Sequence, residues 1–173
     1  MTRTVLLGEP PPEVGEWLER RAALGQDRFD EVWEGEYHVA PAARSRHGLI
    51  DDQLGHVLRP RAVAAGLVGS GPLNLGEPDD YRVPDRVYLR APLDVVFVPS
   101  AVVVVEIVSP DDETHRKFDF YFRRGVEELL VVDPDRRTVQ WYRRADATFE
   151  PAERSDLLDL AAATLHAELD WPG

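Results

Sequence analysis

Ala101–Pro110, AVVVVEIVSP, constrains the fold of this chain more than any other stretch. Seven of its first eight residues are small or apolar, and five of the ten are valines. A continuous run of β-branched residues predicts a strand covered on both faces. Glu106 interrupts that run. An ionised carboxylate in a dry interior is very costly unless a cation, a metal ion or an opening in the fold holds it. The strand stops at Ser109-Pro110-Asp111-Asp112. Serine, then proline, then acids predicts a helix start, with Ser109 as N-cap and Pro110 in the first helical position. The expected unit is a buried central strand with one acid near its end, running directly into a helix.

Length and composition set the limits around that strand. A chain of 173 residues is long enough to bury roughly 70% of its unfolded surface in one core. Without cysteine it needs no disulfide or zinc-thiolate site and suits a reducing cytoplasm. No apolar run reaches the length of a membrane span, and the start, MTRTVLLGEPPPE, does not read as a signal peptide. The formal net charge of −12 weakens non-specific attraction to nucleic acid, yet it permits a local basic or metal-bridged face. Lys117 is the only lysine.

Along the chain, residues 13–24 carry helical spacing that ends at Gly25, and 28–41 alternate around Glu34-Gly35 as a hairpin. Residues 46–65 predict a second helix, with Pro60 as a candidate kink. Strands are expected over 67–75 and 82–89, the latter holding Pro84-Asp85, with a turn over 76–80. A short apolar piece, 94–98, precedes the central strand. A helix over 111–124 follows it, then a hairpin of 127–132 with 137–143, and a final strand with a short helix near 157–169. This order predicts an α/β fold, a mixed sheet with helices packed on it. There is neither a GxGxxG nor a P-loop pattern.

Asp85 precedes Glu106 by 21 positions, enough for two neighbouring strands to bring both acids to one point. Carboxylates that close repel each other, and a divalent ion with a taste for hard oxygen, Mg²⁺ or Mn²⁺, relieves the repulsion. The plain alternative for Asp85 is a solvated residue at a strand start. Lys117 reads either as an ammonium aimed at the two acids or as a helical pair with Glu113. Tyr121 lies one turn further on the same face and reads first as a core-edge aromatic. His47 reads equally as a polar first-turn residue and as a metal ligand or proton acceptor. Of the hairpin acids Glu34 and Glu36, strand alternation favours Glu36 as the inward one. Arg116, Arg123, Arg124, Arg136, Arg137, Arg143 and Arg144 either track a phosphate backbone or form surface pairs.

Taken in order, Val83-Pro84-Asp85, Glu106-Ile107-Val108-Ser109-Pro110, Lys117 with Tyr121, Gly125-Val126 and Val132-Asp133-Pro134 resemble the Uma-type restriction endonucleases of the PD-(D/E)XK nuclease superfamily. Glu34-Gly35-Glu36-Tyr37, and His47 after Ala40-Pro41, fit the same pattern. The resemblance runs from about Arg28 to Arg144 and extends towards Trp171-Pro172. It implies a restriction-endonuclease-like domain over 28–173, with 1–27 as a helical extension. It also implies Mg²⁺-dependent phosphodiester hydrolysis; the leading expectation is a nuclease on DNA, with Mg²⁺ or Mn²⁺, acting as a homodimer so that two sites meet two strands. By that resemblance Asp85, Glu106 and the Ile107 carbonyl hold the metal, Lys117 orients water or offsets charge, and His47 and Glu36 complete the site. The superfamily lysine usually stands two residues after the glutamate, where this chain has Val108, so Lys117 has to act from the following helix. Two other readings stand beside this one: a catalytically silent homodimeric scaffold, and a hydrolase of another phosphoester.

Overall fold

The computed structural model describes residues 4–6, 8, 10–109 and 113–172. Pro110, Asp111 and Asp112, the expected helix start, lie outside the described residues. The chain runs β1 (Thr4–Leu6), α1 (Pro12–Ala23), β2 (Glu31–Trp33), β3 (Glu36–Val39), α2 (Ser45–Ala64), β4 (Val68–Ser70), β5 (Asn74–Glu77) and β6 (Asp80–Arg82). It continues with β7 (Arg86–Leu89), β8 (Phe97–Val98), β9 (Val103–Ile107), a 3₁₀ turn (Thr114–Lys117), α3 (Phe118–Arg123), β10 (Glu128–Asp133) and β11 (Thr138–Arg144). It closes with β12 (Phe149–Ala152), β13 (Arg154–Ser155), β14 (Leu160–Ala161) and α4 (Ala162–Glu168). No helix among the described residues is long and apolar enough to cross a membrane.

Two six-stranded sheets form, ordered β1-β3-β2-β6-β5-β8 and β12-β11-β10-β9-β7-β4. In the second sheet β9 is central: it runs parallel to β10 and antiparallel to β7. All five of its residues are buried, as the valine run requires. Successive side chains of a strand face opposite ways. Val103, Val105 and Ile107 enter the core shared with Ile50, Leu54 and Leu58 of α2 and Leu165 of α4. Val104 enters the other core, against Phe120 and Tyr121 of α3 and Leu75 and Val98 of the first sheet. By the same alternation Glu106 faces α3.

Three expected elements are divided. The strand expected over 67–75 is two, β4 and β5, in different sheets, separated at Gly71-Pro72. The strand expected over 82–89 is also two. Proline has no N–H for a ladder, and Pro84-Asp85 is where the chain leaves β6 in one sheet and enters β7 in the other. The helix expected over 111–124 is a 3₁₀ turn followed by the six residues of α3, with no side-chain cap. The residue before that 3₁₀ turn is Glu113; the expected cap at Ser109 concerns a helix start that lies outside the described residues. The helix near 157–169 is confined to α4, because β13 and β14 occupy the preceding residues as a small hairpin. The hairpin around Glu34-Gly35 forms as expected, as do the helix over 13–24 and α2 with Pro60 inside it.

The β5–β6 turn depends on Gly76, whose φ is +130°. A Cβ there meets the Asp80 carbonyl at 2.3 Å and Tyr81 Cα at 2.9 Å, both backbone atoms that cannot swing aside. Gly15, inside α1, has open space around it. Gly76→Ala is therefore expected to cost at least about 1 kcal/mol, whereas Gly15→Ala gains about 0.5–1 kcal/mol from helix propensity. Denaturant midpoints of the two variants, moving in opposite directions, check this.

Candidate active site

The site is built at the end of β9, where the register with β7 sets it up. Arg86 lies opposite Val105 and Val87 opposite Val104, so one more step of the same antiparallel register brings Asp85 opposite Glu106. Directly opposed residues share a face, with Cβ atoms about 4.5–5.5 Å apart. Asp85 Oδ2 accepts a hydrogen bond of 2.6 Å from the Ile107 amide, the residue after Glu106. Asp85 Oδ1 faces His47 Nε2 at 2.8 Å. The other nitrogen of that ring, Nδ1, lies 3.3 Å from Ser109 Oγ. Ser109 thus faces the imidazole brought in by the first turn of α2.

Lys117 ends the 3₁₀ turn and points inward, only 7% exposed. Its Nζ lies 3.1 and 3.2 Å from the two Glu106 oxygens and 3.0 Å from Glu31 Oε1. Tyr121, one helical turn later, donates its hydroxyl to Glu106 Oε1. Asp85, Glu106, Lys117, Tyr121 and His47 are thereby brought together. Lys117 pairs with these acids, and it is Arg116 that binds Glu113.

Glu36 is not part of the cluster. It is exposed at the end of the hairpin, opposite Trp33. Glu31, five residues earlier, takes the inward place. It is 2% exposed, and it accepts the Trp33 indole N–H at 2.7 Å on Oε2 and the Val83 amide at 2.9 Å on Oε1. The signal for Glu31 lay in its spacing from Trp33: two residues apart on a strand share a face, and the large aromatic identifies the buried one. Of the arginines, Arg123 pairs with Glu34, Arg124 with Glu77 and Asp80, and Arg136 with Asp133.

Burial pushes the Glu106 carboxyl up to about 8, against the pull of Lys117, and the charges of Asp85 and Glu31 add to the rise. Burial and the Glu106 carboxylate push the Tyr121 hydroxyl well up, so it remains a donor. Burial works against the His47 imidazolium, but the Asp85 hydrogen bond and the charges of Asp85, Asp51 and Glu106 outweigh it and the balance is upward.

Two buried carboxylates, Glu31 and Glu106, thus share one ammonium, and a third, Asp85, stands against the His47 imidazole. Among the described residues no group of three or more His, Cys, Asp or Glu side chains is set to hold a metal ion by itself. Mg²⁺ does not need such a cage: it characteristically takes one or two carboxylates, several waters and substrate phosphate. Asp85 and Glu106, a pair of hard oxygen donors on opposed strand positions, fit that requirement.

Comparison with known proteins agrees with the fold. Residues 16–171 match the Uma2 family, described as a putative restriction endonuclease. The fold is that of a restriction-endonuclease-like α/β protein, and the chain belongs to the Uma2 family. A crystal structure of a putative nuclease belonging to DUF820 from Anabaena variabilis superposes with a TM-score of 0.66 at 18% identity, covering 82% of this chain and 92% of that one. No curated protein matches this chain.

Two expectations follow from the buried charges. The unfolded chain releases the Glu106 proton near 4.5 and the folded chain near 8. Between those values the folded state holds more protons, so stability falls as pH rises through that window. Glu106→Gln should reduce this slope in denaturation midpoints taken across it, leaving the shares of His47 and Glu128, whose proton affinities folding also raises. Lys117→Met, which leaves Glu31 and Glu106 facing each other without the ammonium, should cost about 3–5 kcal/mol above the pH of about 8 at which Glu106 ionises.

Proposed function

We propose that this protein is a metal-dependent endonuclease that hydrolyses DNA phosphodiester bonds, with Asp85 and Glu106 holding Mg²⁺ or Mn²⁺. The observation that carries the reading is the position of Lys117, within 3.2 Å of Glu106 on the strand whose next amide binds Asp85. Membership of a family described as restriction endonucleases supports it. When bound, the ion, held also by the Ile107 carbonyl, supplies a more acidic water and neutralises charge on the phosphate.

The chain's own residues do the positioning. The Ile107 amide and His47 fix the carboxylate of Asp85 from two sides. Tyr121 and Lys117 fix that of Glu106. Glu31 holds Lys117 from the opposite side, so the ammonium enters the cluster in one orientation. This lets Lys117 serve where Val108 occupies the usual lysine position: it reaches Glu106 from the following turn rather than along the strand. In that place a compact positive charge stabilises the pentacoordinate phosphate. A homodimer places two such sites on the two strands of a duplex, and a cytoplasmic setting suits a chain without cysteine.

Plasmid and oligonucleotide DNA incubated with Mg²⁺ or Mn²⁺ should be cut, and Asp85→Asn and Lys117→Met should each slow cutting by about 10²–10³-fold. Intact DNA, together with calorimetry that finds no ion binding dependent on Asp85, would instead mark a silent scaffold. Asp85-dependent ion binding with intact DNA would point to another phosphoester.

A further inference from the structure

Beside Asp85 lies a narrow cleft lined by Arg44, Arg46 and His47 from the start of α2, Val108 and Ser109 beyond β9, and Asp135 in the β10–β11 turn. His47 forms its inner wall, with one ring nitrogen against Asp85 and the other against Ser109. The outer wall is an ion pair: Arg46 donates to Asp135 across the cleft. What remains open is about 20 Å³, room for a single water and too little for a phosphate group.

The Asp135 side of this pair is firmly held. Asp135 rides on a braced turn. Asp133 Oδ1 accepts the amides of Asp135 at 3.0 Å and Arg136 at 2.9 Å. Asp133 is itself 8% exposed. Arg46 is a long side chain, 39% exposed, on the first turn of a helix. A guanidinium pairs with carboxylate and phosphate through the same fork of N–H donors. An exposed pair of this kind is worth about 0.2–1 kcal/mol, so a phosphate competes with it easily.

We propose that Arg46 and Asp135 form a displaceable latch on a phosphate subsite: a backbone phosphate of the nucleic acid, next to the one being cut, takes Arg46 from Asp135 and seats between Arg46 and Arg44. This rests on the nuclease reading above and names where the substrate backbone is gripped. It also resolves a tension in the composition. A chain of net charge −12 repels polyanions at long range, and Asp135 engages the Arg46 guanidinium beside His47 until a phosphate replaces it. The cleft then opens towards Asp85, which sets the neighbouring phosphodiester over the two metal-holding carboxylates.

The test is fluorescence anisotropy of a labelled DNA duplex with the full chain, with Ca²⁺ in place of Mg²⁺ so that no bond is cut, between about 50 and 200 mM salt. Asp135→Asn should tighten binding about 1.4- to 5-fold, the range of an exposed pair. Arg46→Ala should weaken binding and lower the salt slope by about one phosphate contact, so that affinity changes roughly 3.5-fold less across that salt range. Arg46→Lys should keep the slope. Circular dichroism of each variant separates these effects from misfolding. If wild type binds and cuts DNA while Asp135→Asn and Arg46→Ala leave affinity and slope unchanged, the latch is overturned and the nuclease reading stands. If wild type neither binds nor cuts any DNA, the nuclease reading fails and takes the latch with it.

Discussion

One ammonium between two buried carboxylates joins the halves of this molecule. Glu31 belongs to β2 of the first sheet and Glu106 to β9 of the second. Lys117, 3.0 Å from one and 3.1 Å from the other, spans the boundary between them. None of the three is tolerable alone in a dry interior. The sheets therefore meet in a single registration, the one that brings both acids to the same nitrogen. Arg82 reinforces the joint: it is stacked on Trp33 and Phe120 at 4.5 and 4.1 Å and bonded to the Val32 carbonyl.

The crossover at Pro84-Asp85 belongs to the same construction. The chain passes from sheet to sheet there, so Asp85 stands at the seam rather than inside either ladder. Its carboxylate caps the Ile107 amide and leans on His47 from α2. Acids from both sheets, a lysine from the turn before α3 and a histidine from α2 thus converge without any flexible loop carrying them. The electrostatic cost is concentrated at Glu106, whose proton affinity rises because it is buried and has two like-charged neighbours. A site arranged this way is poised to accept positive charge.

How much of this was legible in the sequence depended on whether the signal was local. The valine run around Glu106 predicts its own environment, because burial on both faces is written into consecutive residues. Lys117 and Tyr121 follow from helical spacing even though Lys117 ends a 3₁₀ turn, since its own backbone is α-helical and the residues after it are α3, where i and i+4 share a face. Sheet membership is not local. Residues 67–75 and 82–89 have strand-forming composition throughout, and only Gly71-Pro72 and Pro84-Asp85 marked where the chain changes sheets. Glu31 escapes a sequence reading that weighs only Glu34 and Glu36, the acids that flank the turn. What separates Glu31 from Glu36 is position along the hairpin: Glu36 stands at its exposed tip and Glu31 at its buried inner end. Ser109 before proline looked like a cap, yet its hydroxyl faces an imidazole 62 residues away in the chain, a partner that no short-range rule supplies.

The lone lysine has a consequence outside the site. With its one side-chain amine locked between Glu31 and Glu106, the folded protein offers acylating reagents, acetyl- and ubiquitin-transferring enzymes and amine cross-linkers no accessible lysine. Reaction at that position, distinguished from reaction at the α-amine, counts molecules in which the joint itself has opened.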